Sequence, residues 1–272
     1  MNICIAGKNS IAVDAVKYIL EDNHISKDNL FILPGPEDSG KDSWQPSLLK
    51  FATDNDLNIV KIESLYNMKD LKFFSLEYSQ LIKPQLFDSN HLVNIHFSLL
   101  PAYKGMYTSA HPLLNGENSS GVTLHKIDSG IDTGDIISQQ KFDINLNDTA
   151  RDLYMKYLLF SLKLFKENFE NILNDNYSTV PQEKINSSYF SKKSIDYSNL
   201  KIDFKRTSFE IHNQIRAYIF KEYQLPVIKN KKIKKTILLD EKIDTSVIIE
   251  EKDCFVISGI DSYKIIAYKD ED

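Results

Sequence analysis

A chain of 272 residues is long enough for one large or two moderate domains, and 42% hydrophobic with 26% charged residues lies in the ordinary globular range. A net charge of -5 and a pI near 5.7 remove bulk charge as an argument for a nucleic-acid partner, although the 33 basic residues could still gather locally. Cys4 and Cys254 stand at opposite ends of the chain, which gives neither a disulfide framework nor metal-ligand spacing. The opening MNICIAGKNS lacks a basic segment followed by an apolar one, and no apolar run approaches the roughly 18 residues needed to span a bilayer. The expectation is a cytoplasmic protein with reduced thiols and no membrane partner.

In chain order, NICIA (2–6) reads as a buried strand ending at Gly7, and IAVDAVKYILED (11–22) has apolar residues at helical spacing. NLFILPGP is a second strand, stopped by Pro34-Gly35-Pro36. QPSLLKFATDND predicts a helix with Ser47 as a cap, and LNIVKIESL (57–65) a strand. LKFFSLEYSQLI (71–82) is ambiguous by period. HLVNIHFSLLP is a strand running into a turn, SAHPLLNGE a short helix, and SSGVTLHKIDSG and DIISQQKFDI two further strands. TARDLYMKYLLFSLKLFKENFENIL is a long amphipathic helix capped by Asp148 or Thr149. Strands alternating with helices predict an α/β, Rossmann-like domain over 1–180, with a mainly parallel sheet and flanking helices. A polar linker follows over 181–203. The remainder, 204–272, opens with a helix at SFEIHNQIRAYIF and continues in short alternating strands, a small β-rich C-terminal domain. Its KNKKIKK run reads as a solvated strand or hairpin tip.

Only nine glycines occur, and five of them (Gly105, Gly116, Gly121, Gly130, Gly134) fall between 105 and 134. Glycine serves where backbone turns tightly or approaches a ligand, so this span is where function is expected. Within it HKIDSGIDTGDII carries Asp128, Asp132 and Asp135. Taken alone this reads equally as a set of turns, and its spacing is not that of an EF-hand. Just upstream, NIHFSLLPAYKG (94–105) puts Asn94 and His96 two residues apart, on one face of a strand that then turns. A triad of His96 with Asp132 and Ser98 is possible on paper. An amide, an imidazole and a carboxylate more readily assist an external amine attacking a carbonyl: the amide N–H stabilises the oxyanion and the imidazole takes the proton. His111, His125 and Asp128 lack the spacing of a metal cluster, and no metal is expected.

The two motifs together, Asn94-x-His96-x-Ser98-Leu99-Leu100-Pro101 and Asp132-Thr133-Gly134, resemble the formyltransferase family that uses 10-formyltetrahydrofolate. The likeness spans about residues 1–175 and continues more weakly through VPQ (180–182) and IHNQIRAY (211–218). Lys104 stands where the family often has Arg, and Thr108 where it often has Pro. FFSLEYSQLIKPQLF, GKDSWQPSLLKFA and FKEYQLPVI are similar to stretches of the nucleotide-sugar N-formyltransferases, and the short C-terminal part together with the acidic balance of the chain disfavours a tRNA acceptor.

The resemblance implies formyl transfer from 10-formyltetrahydrofolate to the amine of a dTDP-linked amino-dideoxy sugar, for surface polysaccharide or O-antigen synthesis. dTDP-4-amino-4,6-dideoxyglucose is favoured over the 3-amino sugar. It implies Asn94, His96 and Asp132 as catalytic residues, with Asp132 orienting His96. Folate contacts are assigned to Ser75, Leu76, Glu77 and Tyr78, largely through backbone, and to Asp128, Gly130 and Ile131. Sugar-nucleotide contacts are assigned to Lys8, Asn9, Ser10, Trp44, Lys104, Phe220 and Tyr223, the last two for stacking on thymine. A homodimer through the C-terminal part is implied as well. The alternatives are a methionyl-tRNA formyltransferase, a formyltetrahydrofolate hydrolase, or an inactive binding protein of the same fold.

Overall fold

The structure is a computed structural model and describes residues 1–21 and 25–270. In chain order its elements are β1 (Asn2–Gly7), α1 (Asn9–Glu21), β2 (Leu30–Pro34), α2 (Leu48–Asp54), β3 (Asn58–Ile59), β4 (Leu71–Leu76), β5 (Leu92–His96), β6 (Lys104–Gly105), α3 (His111–Leu114), β7 (Ser119–Lys126), β8 (Ile136–Asp143) and α4 (Ala150–Leu173). They continue with β9 (Tyr189–Phe190), α5 (Ser208–Ala217), β10 (Val227–Ile228), β11 (Lys231–Lys242), β12 (Ile248–Glu250), β13 (Cys254–Ser258) and β14 (Tyr263–Lys269). Two compact units are formed. One comprises residues 1–104, 121–141 and 157–189; the other comprises 105–120, 142–156 and 190–272.

The first unit is built on a seven-stranded sheet of order β3-β2-β1-β4-β5-β7-β8. β3, β2, β1, β4 and β5 pair in parallel, whereas β5 and β7 are antiparallel. Alternate residues of β1 and β4 face opposite layers, and both layers are apolar. Cys4, Ala6 and Phe73 join one core with Leu33, Leu65, Leu71, Ile82, Phe87 and Leu92. Phe74 turns the other way, with ring centroids 5.3 Å from Phe165 and 5.6 Å from Phe169 of α4. Burial on both faces explains the unbroken apolar runs of these strands. Each such side chain contributes roughly 1.5–3 kcal/mol by leaving water.

The strand order leaves β1 for β2 on one side and returns to β4 on the other. The C-terminal ends of β1 and β4 therefore flank the crevice where open α/β sheets receive ligands. Gly7 lies at this point: a Cβ there would stand 2.1 Å from the Leu76 carbonyl oxygen. Caps read from the sequence are present. Ser47 accepts from the Lys50 N–H at 3.0 Å, and Thr149 and Asp152 exchange side-chain to backbone bonds at the start of α4.

Three expectations are revised. Of residues 57–65 only Asn58–Ile59 is a strand, followed by a 3₁₀ turn over Ile62–Leu65. Both strand residues are exposed at the sheet edge, where short strands are the rule. The ambiguous 71–82 stretch is a strand as far as Leu76, where Glu77 at φ 58° ends it. The predicted helix over 11–22 begins at Asn9 and runs to Glu21, with Asp22 outside the described residues.

The second unit is a five-stranded antiparallel sheet, β10-β11-β14-β13-β12, with α5 covering one face. Ile211 and Ile215 of α5 pack with Ile233, Phe255, Ile257, Ile265 and Ala267 of the sheet. A full capping box, Thr207 with Glu210, starts α5. The polar face of α5 grips the loop before α4: buried Arg216 donates to the carbonyls of Asn145 (3.0 Å) and Asp148 (3.2 Å). His212 Nε2 donates to the Leu146 carbonyl at 2.8 Å, which leaves Nδ1 to accept from Thr236 Oγ1 at 3.2 Å. The mainly parallel α/β sheet with a separate β-rich sheet is thus the architecture the sequence predicted.

Two outcomes follow from this packing. Gly7→Val forces β1 and β4 apart and is expected to cost about 1–3 kcal/mol in urea unfolding. Burial holds the His212 pKa near 4 against an ordinary 6.5, so between these values the unfolded chain takes a proton that the folded chain refuses. Stability therefore falls as pH drops from 6.5 towards 4, by up to about 3 kcal/mol from this one group. His212→Gln should show a correspondingly smaller loss when unfolding is measured at pH 7 and pH 4.5.

Candidate active site

Asn94 and His96 lie two residues apart on β5 and so project from one face of the sheet, while Ile95 between them is buried on the other. The antiparallel register of β5 with β7 sets Asn94 opposite His125 and His96 opposite Thr123. The chain leaving β7 turns back through residues 127–135 and returns the Asp132 carboxylate to the same place. Asp132 Oδ2 lies 3.4 Å from His96 Nδ1, and Asp132 Oδ1 lies 3.7 Å from His125 Nε2. Amide, imidazole and carboxylate are therefore brought together. A second imidazole stands with them: Asn94 Nδ2 is 3.1 Å from His125 Nε2.

The partners of each ring fix its tautomer. A carbonyl only accepts, so His96 Nε2 carries a proton toward the Tyr103 carbonyl at 2.8 Å, and Nδ1 is the basic nitrogen of neutral His96. His125 Nδ1 likewise donates to the Lys126 carbonyl at 2.7 Å. Burial pushes the His125 pKa down to about 4, against the pull of the Asp132 charge, so the ring is neutral at physiological pH.

Local backbone holds these groups in place. Tyr103 and Asp132 both occupy the left-handed region, at φ 59° and 55°. Non-glycine residues there cost of order 1–3 kcal/mol and persist only where surrounding bonds enforce them. Asp128 Oδ1 takes the Gly130 N–H (3.0 Å) and the Thr133 hydroxyl (2.7 Å), which closes the 128–133 turn. Gln182 donates to the carbonyls of Asp132 (2.9 Å) and Gly134 (2.7 Å), and Gly134 admits no Cβ because the Lys126 carbonyl oxygen would be 1.9 Å away. Ser188 Oγ accepts from the Tyr103 N–H at 2.8 Å, and the Ser188 carbonyl from the Lys104 N–H at 2.9 Å. Residues 182–188, read from sequence as linker, are thus the strap that fixes both functional loops.

Lys104 is buried and gives its ammonium to Ser187 Oγ at 2.8 Å; burial lowers its pKa, with Asp132 and Asp128 opposing. In β4, Ser75 and Leu76 have buried side chains, and Leu76 offers backbone alone. Glu77, at φ 58°, accepts from Asn9 Nδ2 at 3.3 Å, and Tyr78 donates to Gln80 at 2.9 Å. Ile131 presents an exposed apolar side chain on the aspartate loop.

The start of α1 is occupied differently from the expectation of a free anion site. The Ser10 N–H is given to Gln45 Oε1 (3.0 Å) and Lys8 is paired with Glu37 (2.6 Å), so a diphosphate there would have to displace both. Trp44 lines a cavity of about 410 Å³ with Val13, Lys17, Lys50 and Phe51, and none of Asn94, His96 and Asp132 borders it. Phe220 and Tyr223 belong to the second unit, where Tyr154, Phe220 and Tyr223 form a ladder with centroids 5.5 and 4.8 Å apart. Phe220 is buried and Tyr223 is 64% exposed. Among the described residues no group of three or more His, Cys, Asp or Glu side chains is arranged to hold a metal, and no helix is long and apolar enough to cross a membrane.

Comparison with known proteins agrees with this geometry. Residues 73–167 match the formyl transferase family. The crystal structure of WlaRD, a sugar 3N-formyl transferase in the presence of dTDP and 5-N-formyl-THF, superposes with a TM-score of 0.97 at 54% identity, covering 100% of this chain and 98% of that one. The N-formyltransferase of Helicobacter canadensis, in complex with folinic acid and dTDP-3-aminofucose, gives 0.96 at 52% identity over 99% of this chain and 100% of that one. The methionyl-tRNA formyltransferase of Clostridioides difficile (strain 630) is more distant, 27% identical over 98% of this chain and 91% of its own. The chain belongs to the formyltransferase family, on its nucleotide-sugar N-formyltransferase branch.

The left-handed Asp132 generates a structural expectation. Asn tolerates that conformation, so Asp132→Asn should melt within a few degrees of the parent, whereas Asp132→Val should lose about 1–3 kcal/mol of unfolding free energy.

Proposed function

We propose that this protein transfers the formyl group of 10-formyltetrahydrofolate to the 3-amine of a dTDP-linked 3-amino-3,6-dideoxyhexose. The observation that carries the transfer is the convergence of Asn94, His96 and Asp132, with the Asp132 carboxylate 3.4 Å from the basic nitrogen of His96. The choice of acceptor rests on the two structures more than 50% identical along the whole chain, one described as a sugar 3N-formyl transferase and the other holding dTDP-3-aminofucose. It replaces the 4-amino sugar that the sequence alone favoured.

The donor supplies an acyl carbon of the right oxidation level, so the protein's task is to place and polarise it. In this reading Asn94 turns an amide N–H toward the formyl oxygen; losing one such donor typically costs about 100-fold in rate. His96 accepts the proton of the attacking amine at Nδ1. Asp132 Oδ2, beside that nitrogen, balances the positive charge as it forms and relays the proton to the departing folate nitrogen through water. Holding amine and acyl carbon together supplies much of the remaining acceleration. The backbone after β4 and the 128–134 loop, with exposed Ile131, suit the flat donor ring. Lys104 remains a substrate contact.

A homodimer is part of the same reading. Ile237, Ile266, Val256 and Ile249 follow one another across four strands on the face of the small sheet turned away from α5. With Ile249 51% exposed, that row is a suitable surface for a second copy. The free thiols of Cys4 and Cys254 support a cytoplasmic site of action, feeding formamido sugars to surface polysaccharide synthesis.

The test is a panel of dTDP-3-amino and dTDP-4-amino sugars assayed with the formyl donor. The 3-amino sugars should give the highest kcat/KM, and His96→Asn should lower kcat about 100-fold or more with them. Preference for a 4-amino sugar would overturn the acceptor, and release of formate without any amine would overturn the transfer.

A further inference from the structure

His125 is a buried imidazole at the reacting centre that the transfer described above does not use. Its contacts are fully specified. Nδ1 faces the Lys126 carbonyl at 2.7 Å, so it carries the proton in either charge state. Nε2 faces two groups, the Asn94 amide at 3.1 Å and Asp132 Oδ1 at 3.7 Å. The charged and titratable groups that act on the ring are Asp132, His96 and Asp128, and burial outweighs them all in keeping it neutral. A neutral ring with its proton on Nδ1 has only a lone pair at Nε2. The end of Asn94 that meets it must then be the NH₂ end, because an amide oxygen there would set lone pair against lone pair. This conclusion follows from the Lys126 carbonyl and needs no prior choice between the oxygen and nitrogen of the amide.

A free asparagine on a strand end can rotate its amide by half a turn at little cost. Asn94 makes this one side-chain hydrogen bond among the described residues, so His125 alone decides which way round it sits. We infer that His125 is a positioning residue for formyl transfer: as a fixed acceptor it locks the Asn94 amide so that its second N–H, not its oxygen, is held for the formyl oxygen. With the acceptor gone, a flipped amide would turn its own oxygen on the developing oxyanion and repel it. The inference rests on the reading of Asn94 as the oxyanion donor.

The test is steady-state kinetics with the amino-sugar nucleotide and the formyl donor for wild type, His125→Leu, His125→Gln, Asn94→Ala and the double variant His125→Leu/Asn94→Ala. His125→Leu should lower kcat about tenfold or more while both KM values stay within about threefold, the mark of an interaction made in the transition state. His125→Gln, whose Oε1 reaches the place of Nε2, should recover most of that loss. The double variant should match Asn94→Ala to within about twofold, because one residue acts only through the other. Additive losses, or a His125→Leu enzyme with wild-type kcat, would overturn the inference and leave the Asn94 reading standing. Wild-type kcat in Asn94→Ala would overturn that reading and the inference with it. Should His125→Leu fail to fold, imidazole ¹⁵N spectra of the unaltered protein decide: Nδ1–H at pH 7 supports the lock, and Nε2–H overturns it.

Discussion

The antiparallel pairing of β5 with β7 is the constraint on which the site depends. Residues 97–118 leave the C-terminal end of β5 and bring the chain back as β7, which runs in the opposite direction beside it. Running antiparallel, β7 starts beyond His96 and ends with Ile127 beside Leu92, and the aspartate loop that follows carries the Asp132 carboxylate back to His96. The same register fixes His125 opposite Asn94. Strand register thus supplies one imidazole at the centre, and the loop after β7 supplies the carboxylate. The rest of the sheet, buried on both faces, gives that edge a rigid base.

Rigidity at the centre comes from backbone held against its own preference. Tyr103 and Asp132 sit in left-handed conformations, and each is tied by hydrogen bonds from residues 182–188 as well as by the groups it serves. The Tyr103 carbonyl orients one imidazole and the Lys126 carbonyl the other. Main-chain oxygens cannot lose or gain protons in the working range, so both tautomers are set by partners that do not change with pH. In the proposed transfer, the chemistry would fall to groups whose proton positions are already decided.

Much of this was legible in the sequence, for physical reasons. Strand and helix periods predicted the order of layers because apolar burial dominates both. The pairing of Asn94 with His96 followed from the two-residue repeat of a strand; Asp132 was grouped with them for the chemistry of an amide, an imidazole and a carboxylate, and the resemblance to formyltransferases supported the set. His125 was set aside because it was weighed only as a metal ligand; register between strands, which sequence periodicity does not contain, gives it its place. Tyr103 could not be found by side-chain chemistry because it meets His96 through its main-chain carbonyl. Lys8 and Ser10 were read as nucleotide contacts; their partners here, the carboxylate of Glu37 and the amide of Gln45, come from a loop more than 25 residues away and were not legible in the sequence. The short β3 was overread because an exposed edge tolerates β-branched residues without a strand forming.

The strap of residues 182–188 has a consequence for how the chain can be divided. A fragment trimmed at residue 180 would keep every strand of the seven-stranded sheet and every side chain named by the two sequence motifs. It would also sever Gln182, Ser187 and Ser188, and with them the ties on the Asp132 loop and the Tyr103 turn. Such a piece would hold Asn94, His96 and Asp132 without the bonds that fix the backbone around them. The support of the two loops therefore extends beyond the sheet that carries them.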